Sequence, residues 1–338
     1  MTRPDPLDEA LDLLAPYGTE WLSGLSNHGP MAAEALLRMG RPDAVVPWTE
    51  QYVGRLEPLP LPAEPVEDDA WSARLGSPDA FAAYYARASA ELRDAAWHEV
   101  ARSWIPRLVP GIWGAAAHGG LRTAHAVRSL AVHESAKRTD ELARALAYWA
   151  SVYEELPGQP VLKGSRSLDD AMAEVVTLDL PTRGGWLITE TVAGIVDVPD
   201  FPSVVESLGP TTVSEITRAF AGVYLANADH AAIALVHSVT APNTLRILLD
   251  FAPPEARDAA IGAAWRASAA LLLAFGTNPA EPDQKPVEAS RDELIDRAVE
   301  SRDEHAIKLT AACLEEDGIE PDPRYLAAAA DVSARLRD

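Results

Sequence analysis

A histidine and a lysine stand three positions apart near the carboxyl end of the chain, at His305 and Lys308. The surrounding sequence has helical periodicity, and residues three apart on a helix share one face. An amine next to a cation becomes neutral more easily when it is buried, and a neutral amine can capture carbon dioxide as a carbamate. That carbamate would add an oxygen ligand to a metal held mostly by imidazoles. The alternative is a solvent-facing Lys308 that pairs with Glu304.

Three more of the eight histidines stand in apolar or glycine-flanked settings. His28 is followed by Gly29 and Pro30, which suit the entry to a helix, although a solvated turn would have the same sequence. His118 is followed by glycines that let other elements approach closely, and His237 follows a run of apolar residues. We predict these three as metal ligands. For each, a buried histidine bonded to a backbone carbonyl is the structural alternative.

Two other histidines each lie seven positions from a predicted ligand: His125 follows His118, and His230 precedes His237. Seven residues on one helix span about 10 Å, which is too far for two bonds of about 2 Å to one ion. The glycines favour His118 over His125, and burial favours His237 over His230. We predict His230 and Arg122 as candidate catalytic groups that assist proton transfer.

The composition excludes several classes of partner. The 338 residues include 51 acidic and 29 basic side chains, giving a net charge of −22. A phosphate backbone or an anionic membrane would be repelled by such a surface. The single cysteine, Cys313, cannot form an intramolecular disulfide, and its neighbours suggest a small buried residue. The amino terminus lacks the order of a secretory signal, so we predict a cytoplasmic protein. The oligomeric state is not predicted.

The periodicity predicts an all-α fold, a single large multi-helix domain over residues 1–338 with few or no short strands. A proline-rich segment at 53–66 cannot continue a helix and is predicted to be a surface connector within that domain. The only plausible strands are 175–180 and 186–192. Helices are predicted at 5–15, 31–39, 78–105, 121–132, 139–155, 168–174, 213–227, 230–239, 243–251, 254–275, 291–298, 303–316 and 323–336.

Several motifs of other enzyme classes are missing from the sequence. It contains no His-Glu-x-x-His zinc signature, no Glu-x-x-His pair of di-iron bundles, no glycine-rich dinucleotide fingerprint and no Gly-x-Ser-x-Gly elbow. Nine tryptophans are present, and four of them could line a pocket for a flat polycyclic ligand, although core packing explains them equally well. These four are Trp97, Trp104, Trp113 and Trp149.

Four segments together resemble the questin oxidase-like family, in the same order and at similar separations. They are 26–30 (SNHGP), 117–125 (AHGGLRTAH), 235–240 (LVHSVT) and 303–308 (DEHAIK). The resemblance spans about Leu7 to Ala328. It implies a mononuclear non-haem iron bound by four histidines and a carboxylated lysine. Carried over residue by residue, the ligands are His28, His118, His237, His305 and the modified Lys308.

Members of that family open the central ring of anthraquinones in a Baeyer–Villiger-like or dioxygenase-like step. The resemblance therefore implies an oxygenase with iron(II), dioxygen and a small aromatic polyketide as substrate, and it leaves open an external reductant such as NADPH. This chain is shorter than fungal members, so its substrate could differ. Two rivals remain: a zinc or manganese hydrolase that uses the same histidines, and a non-catalytic helical binding protein in which they are structural.

Overall fold

The computed structural model describes residues 5–22, 24–181, 185–276 and 287–337. Within these ranges the chain is predominantly α-helical, with one two-stranded antiparallel sheet, which confirms the all-α fold. The chain divides into two compact units. The first unit comprises Met1–Glu155 and Ile247–Pro253, and the second comprises Leu156–Arg246 and Pro254–Asp338.

The first unit is a set of packed helices with a short hairpin near its start. Helix α6 packs on α7 and α2, and α7 also packs on α4. The elements are α1 (Pro6–Leu14), β1 (Glu20–Trp21), β2 (Leu25–Ser26), α2 (Gly29–Arg38), α3 (Pro42–Tyr52), α4 (Phe81–Asp94), α5 (Trp97–Leu108), α6 (His118–Val132) and α7 (Ala136–Ser151).

Tryptophans form much of the interior of this unit. Trp104, Trp113 and Trp149 are fully buried, and the Trp104 ring packs edge-on against Trp71 at 5.5 Å between centroids. The indole nitrogen of Trp149 donates to the Gly111 carbonyl. Core packing therefore accounts for these side chains, and the idea that they line a ligand pocket is not needed.

Helix α1 shows how the sequence sets the helix ends. The Asp5 side chain accepts hydrogen bonds from the backbone N–H groups of Leu7 and Asp8, and a proline stands in the first turn. Leu7, Leu11 and Leu14 follow at helical spacing and are buried. Burying each leucine contributes about 2 kcal/mol, so the apolar face fixes α1 on the unit.

The proline-rich segment lies within the first unit and is not helical beyond a short 3₁₀ turn at Val53–Arg55. Pro58 forms a bridge with Tyr17, and the Leu59 N–H donates to the Pro16 carbonyl. Leu61 is exposed. Because prolines lack the N–H that a helix requires, this stretch crosses the surface in extended form.

The second unit is built around one long helix. Helix α11 packs on α13, α15 and α16. The elements are α8 (Leu168–Val175), α9 (Ile188–Val192), α10 (Phe201–Glu206), α11 (Val213–Asn243), α12 (Leu245–Leu248), α13 (Arg257–Phe275), α14 (Arg291–Ser301), α15 (Glu304–Ile319) and α16 (Pro323–Arg335); the chain passes into the first unit within α12.

Some predicted elements are wrong in type or length. The segments 175–180 and 186–192 are not strands: the first is the end of α8 and a turn, and the second contains α9. The predicted helices 213–227 and 230–239 correspond to the two parts of α11, which meet at a kink with a non-helical residue at Ala231. Helix α3 was not predicted, because prolines interrupt its pattern.

Two helical stretches are long and apolar enough to cross a membrane by length and composition alone. They are Val213–Leu248 and Pro254–Phe275, each with a mean hydropathy of 1.3. About two thirds of each window, 67%, is buried in the protein itself. Core helices of soluble proteins pass the same test, so this feature is weak support for a membrane span.

Candidate metal centre

His118 is the first residue of α6 and follows a left-handed turn. Ala115, Ala116 and Ala117 have φ values of 49°, 55° and 70°. Such angles cost an L-residue about 1–2 kcal/mol each, and strain of this kind is concentrated at functional sites. The turn brings the Ala115 carbonyl to 2.5 Å from His118 Nδ1. The bond assigns the proton to Nδ1, which makes Nε2 the ring atom with a lone pair for a metal.

Gly119 allows the start of α6 to lie directly on α7. A Cβ atom at this position would be 2.6 Å from the Trp149 Cα and 2.8 Å from its Cβ. Real Cβ atoms do not approach a backbone so closely, so only glycine fits here. The sequence prediction that glycine beside His118 permits a close approach is confirmed.

His28 is buried, with 5% of its surface exposed, so the solvated-turn alternative is wrong. It lies between β2 and α2, and its backbone N–H donates to the Tyr52 hydroxyl at 2.8 Å. The preceding Asn27 side chain donates to the Gly18 carbonyl and accepts from the Gly29 N–H. These bonds fix the chain just before the helix and so fix the position of the imidazole.

The rings of His28 and His118 stack on each other. Their centroids are 4.6 Å apart and their planes differ by 15°. Stacking of the flat rings fixes the two imidazoles relative to each other. A neutral imidazole is the form that binds a metal. The structure thus brings together the two predicted ligands of the first unit.

In the second unit, His237 lies in α11 and is 1% exposed. Its Nδ1 is 2.8 Å from the Ile233 carbonyl oxygen, one turn earlier. Burial, together with the positive charges of Lys308 and His305, lowers the pKa of His237 well below its usual range. His237 is therefore a neutral imidazole at neutral pH, with its proton on Nδ1 and its lone pair on Nε2.

His305 stands in the first turn of α15, opposite His237. The rings are 5.5 Å apart between centroids, at 70° to each other. The Asp303 side chain caps the helix by accepting from the N–H groups of His305 and Ala306, at 2.8 and 2.9 Å. Since α15 packs on α11, the cap also fixes His305 relative to His237.

Lys308 lies one turn further along α15 and is 2% exposed, so the solvent-facing alternative is wrong. Among the described residues its Nζ has no hydrogen-bond partner. Burial lowers the pKa of this amine from 10.5 to about 8, against the raising effect of the charges on Glu304 and Asp303. A buried amine without a hydrogen bond is costly, so Lys308 is an unusual residue for a protein interior.

Glu304 is a candidate ligand that the sequence analysis treated only as a partner of Lys308. It is buried, and one of its carboxylate oxygens lies within 4.8 Å of a ring nitrogen of His305. In general, non-haem iron(II) oxygenases bind their metal with two histidines and one carboxylate, so a glutamate beside His305 is a suitable third donor. Its position beside a predicted ligand, in the first turn of a capped helix, was the signal available in the sequence.

The remaining candidates lie outside the two histidine clusters. His230 is exposed, and its Nε2 is 3.1 Å from the Phe275 carbonyl oxygen. Arg122 is buried and donates to both carboxylate oxygens of Glu141, at 2.6 and 2.8 Å. The part in proton transfer predicted for Arg122 and His230 stays a prediction. His125 lies in α6 with its Nδ1 2.5 Å from a carboxylate oxygen of Glu34.

Two cavities of about 190 and 200 Å³ are found in the first unit, and neither is lined by a predicted metal ligand. Each unit holds its own cluster: His28 with His118 in the first, and His237 with His305 and Lys308 in the second. That one ion takes ligands from both clusters stays a prediction.

Comparison with known proteins adds no assignment. No model of a known protein family matches the chain, and a search of the curated proteins returns no match. The likeness to the questin oxidase-like family therefore depends on the four sequence segments and on the chemistry of the residues within them.

Proposed function

We propose that this chain is a non-haem iron-dependent oxygenase of secondary metabolism. Its substrate is an aromatic, anthraquinone-type polyketide, which it oxidises by C–C ring cleavage or by a Baeyer–Villiger-like step. One observation carries the proposal: the amine of Lys308 is buried without a hydrogen-bond partner among the described residues, next to the imidazole of His237, whose pKa is lowered.

The residues of the second unit are chemically suited to iron(II). His237 and His305 offer imidazole nitrogens, and Glu304 or a carboxylated Lys308 offers an anionic oxygen. Nitrogen and oxygen donors of this kind leave positions on an octahedral ion open, whereas a closed zinc site would use four protein ligands. When bound, the iron would supply the one-electron chemistry that dioxygen needs to react with an aromatic substrate.

The protein's own groups would prepare this site. The Ile233 carbonyl holds the His237 tautomer, and the Ala115 carbonyl does the same for His118. The lowered pKa of Lys308 leaves a larger neutral fraction near pH 8 than an ordinary lysine has. The neutral amine attacks carbon dioxide, forming an N–C bond and a carbamate anion and releasing one proton.

Glu304 offers a second way to complete the same site. If its carboxylate is the oxygen ligand, Lys308 stays an ammonium group that balances the charge of Glu304. The two arrangements predict different variants. With a carbamate, Lys308→Met loses the metal; with a carboxylate ligand, Glu304→Gln loses the metal, while Lys308→Met retains most of it.

The decisive experiment measures metal content and carbamate in the purified full chain. We expect stoichiometric iron, and a ¹³C carbamate signal after incubation with labelled bicarbonate that is absent from Lys308→Met. Lys163→Met is the matched control, because Lys163 is exposed and lies outside the site. Protein that binds no metal after anaerobic loading with iron(II) would refute the proposal and favour the helical binding protein.

The number of ions tests whether the two histidine clusters act together. One ion per chain that is lost in both His118→Gln and His237→Gln agrees with the predicted single site, whereas two separable ions contradict it. The exposed His133 provides a control, His133→Gln. Activity with bound zinc or manganese and none with iron would favour the hydrolase instead, since zinc cannot take part in redox chemistry.

The substrate class and the reductant need separate assays. A hydroxyanthraquinone is the probe, with dioxygen uptake and ¹⁸O incorporation as readouts, each measured with and without NADPH.

We also propose a cytoplasmic location. The single cysteine, Cys313, is buried and forms no disulfide, which is in keeping with a reducing compartment. The acidic surface argues against nucleic acid and anionic membranes as partners.

A further inference from the structure

Helices α2 and α6 of the first unit contact each other at two matched points. His28, just before α2, stacks on His118 at the start of α6. Six residues along α2, Glu34 meets His125, which is seven residues along α6. At 1.5 Å per residue these steps are about 9 and 10 Å, so the two helices run side by side in the same direction, in register.

The second contact is a buried polar pair. The Glu34 carboxylate oxygen is 2.5 Å from His125 Nδ1, and both side chains are almost fully buried. Burial alone would raise the pKa of Glu34, but the hydrogen bond from His125 and the positive charges of Arg38 and Arg128 hold it below its usual range. Burial lowers the pKa of His125, so at neutral pH its imidazole is an uncharged donor to the carboxylate. Glu34 is therefore a carboxylate at neutral pH, and it accepts a charge-assisted hydrogen bond.

A directional bond at this place sets the register more strictly than apolar packing does. Apolar side chains tolerate small shifts along a helix, whereas moving a buried carboxylate away from its donor leaves both groups unsatisfied. Two neighbouring polar groups have contacts within their own helices: Arg38 lies on α2, 3.7 Å from Glu34, and the Ser129 hydroxyl on α6 donates to the Ala126 carbonyl.

We propose that Glu34 and His125 are positioning residues, which hold α2 and α6 in the register that stacks His28 on His118. The pair does not touch the predicted ligands and acts through the two helices. Its effect on the stacking is independent of any metal. Its effect on metal affinity rests on the proposed function, because it assumes that His28 and His118 bind the ion.

The test uses the full chain with ring-labelled histidine. The first readout is the nuclear Overhauser effect between the His28 and His118 rings in metal-free protein. The second is the affinity for zinc(II), measured against a competing chelator. The variants are Glu34→Leu, which removes the acceptor, and Glu34→Gln, which keeps its length and one acceptor oxygen. Ser129→Ala is the matched control, a buried polar group of α6 that bonds within its own helix.

We expect Glu34→Leu to lose the ring contact and to bind zinc about tenfold or more weakly, as for other groups that orient ligands. Glu34→Gln should restore the ring contact and most of the affinity, and Ser129→Ala should change neither. A merely structural role would lower the stability of Glu34→Leu and leave the contact and affinity of the folded protein unchanged. That outcome would overturn the proposal.

A second variant covers the case in which Glu34→Leu does not fold. Replacing a buried polar pair by apolar residues of similar size is often neutral for stability, so Glu34→Leu/His125→Phe should fold. It should lack the ring contact, and a folded double variant that keeps the contact would overturn the proposal. If wild-type protein binds no zinc but the ring contact behaves as expected, the proposed metal function fails while the positioning role stands.

Discussion

Replacing Lys308 with methionine separates a structural lysine from a metal-binding one. The pKa of Lys308 falls from 10.5 to about 8 on folding. Each tenfold change in proton affinity corresponds to about 1.4 kcal/mol, so keeping the ammonium form in the interior costs the metal-free protein about 3 kcal/mol at pH 7. Methionine has a similar length and no charge. Metal-free Lys308→Met should therefore be more stable than metal-free wild type by about 3 kcal/mol.

The sign of the pH dependence follows from the lowered pKa. Below about pH 8 Lys308 is charged in both the folded and the unfolded protein, so the full free-energy cost of burying the ammonium group is present. Between about pH 8 and the usual value of 10.5 the folded protein releases its proton first, so wild type gains stability as the pH rises and the advantage of the variant shrinks. Urea denaturation with a chelator, at about pH 7 and about pH 10, measures this change.

Metal should reverse the order of stabilities. Free metal at about 1,000 times its Kd stabilises the protein that binds it by about 4 kcal/mol, and Lys308→Met would not receive this gain if Lys308 is a ligand. Lys163→Met, at an exposed site, should change stability by less than about 0.5 kcal/mol in either condition. The reasoning is refuted if Lys308→Met destabilises the metal-free protein and retains wild-type metal content.

Three further predictions concern the elements around the site. Ionised Glu34 stabilises the fold above its usual pKa of 4.5, because its pKa in the folded protein is lower, and this contribution is lost as the pH falls below that value; urea midpoints between about pH 6 and pH 3 should therefore fall less steeply for Glu34→Gln. Gly119→Ala forces a Cβ against the Trp149 backbone and should cost about 1–3 kcal/mol in thermal denaturation, whereas Gly54→Ala, with no atom within 4 Å of the added Cβ, should be neutral. Asp303→Ala removes the cap of α15 and should cost about 1 kcal/mol; equal metal content in this variant and wild type would show that the cap does not position His305.

The helical class and the burial of key side chains follow from local sequence patterns. Runs of apolar residues at helical spacing identified most helices, and the glycines beside His118 and the apolar run before His237 marked both as interior positions. The break between α4 and α5 was missed because Ala95 and Ala96, which are not helical, are strong helix formers in isolation. The predicted break between residues 227 and 230, in contrast, lies close to the kink at Ala231.

The pairings between distant side chains could not be predicted, because they depend on tertiary packing. The stacking of His28 on His118 and the bond from His125 to Glu34 join residues about 90 positions apart. Nothing in the sequence around Glu34 distinguishes it from a glutamate on the protein surface. It is buried because α2 packs on α6. The sequence therefore indicates which residues could bind a metal or donate a hydrogen bond, but it does not indicate which distant side chain each of them contacts.

The three alanines before His118 have a consequence for how that histidine moves. Each is held in a backbone conformation that an L-amino acid avoids, so unwinding this loop releases free energy that opening an ordinary turn would not. We therefore expect this loop to unfold locally more often than its surroundings, so that its amide hydrogens exchange faster than those in the body of α6. Glycine at Ala116 would relieve part of the strain, slow the exchange, and leave the imidazole less ready to leave its position.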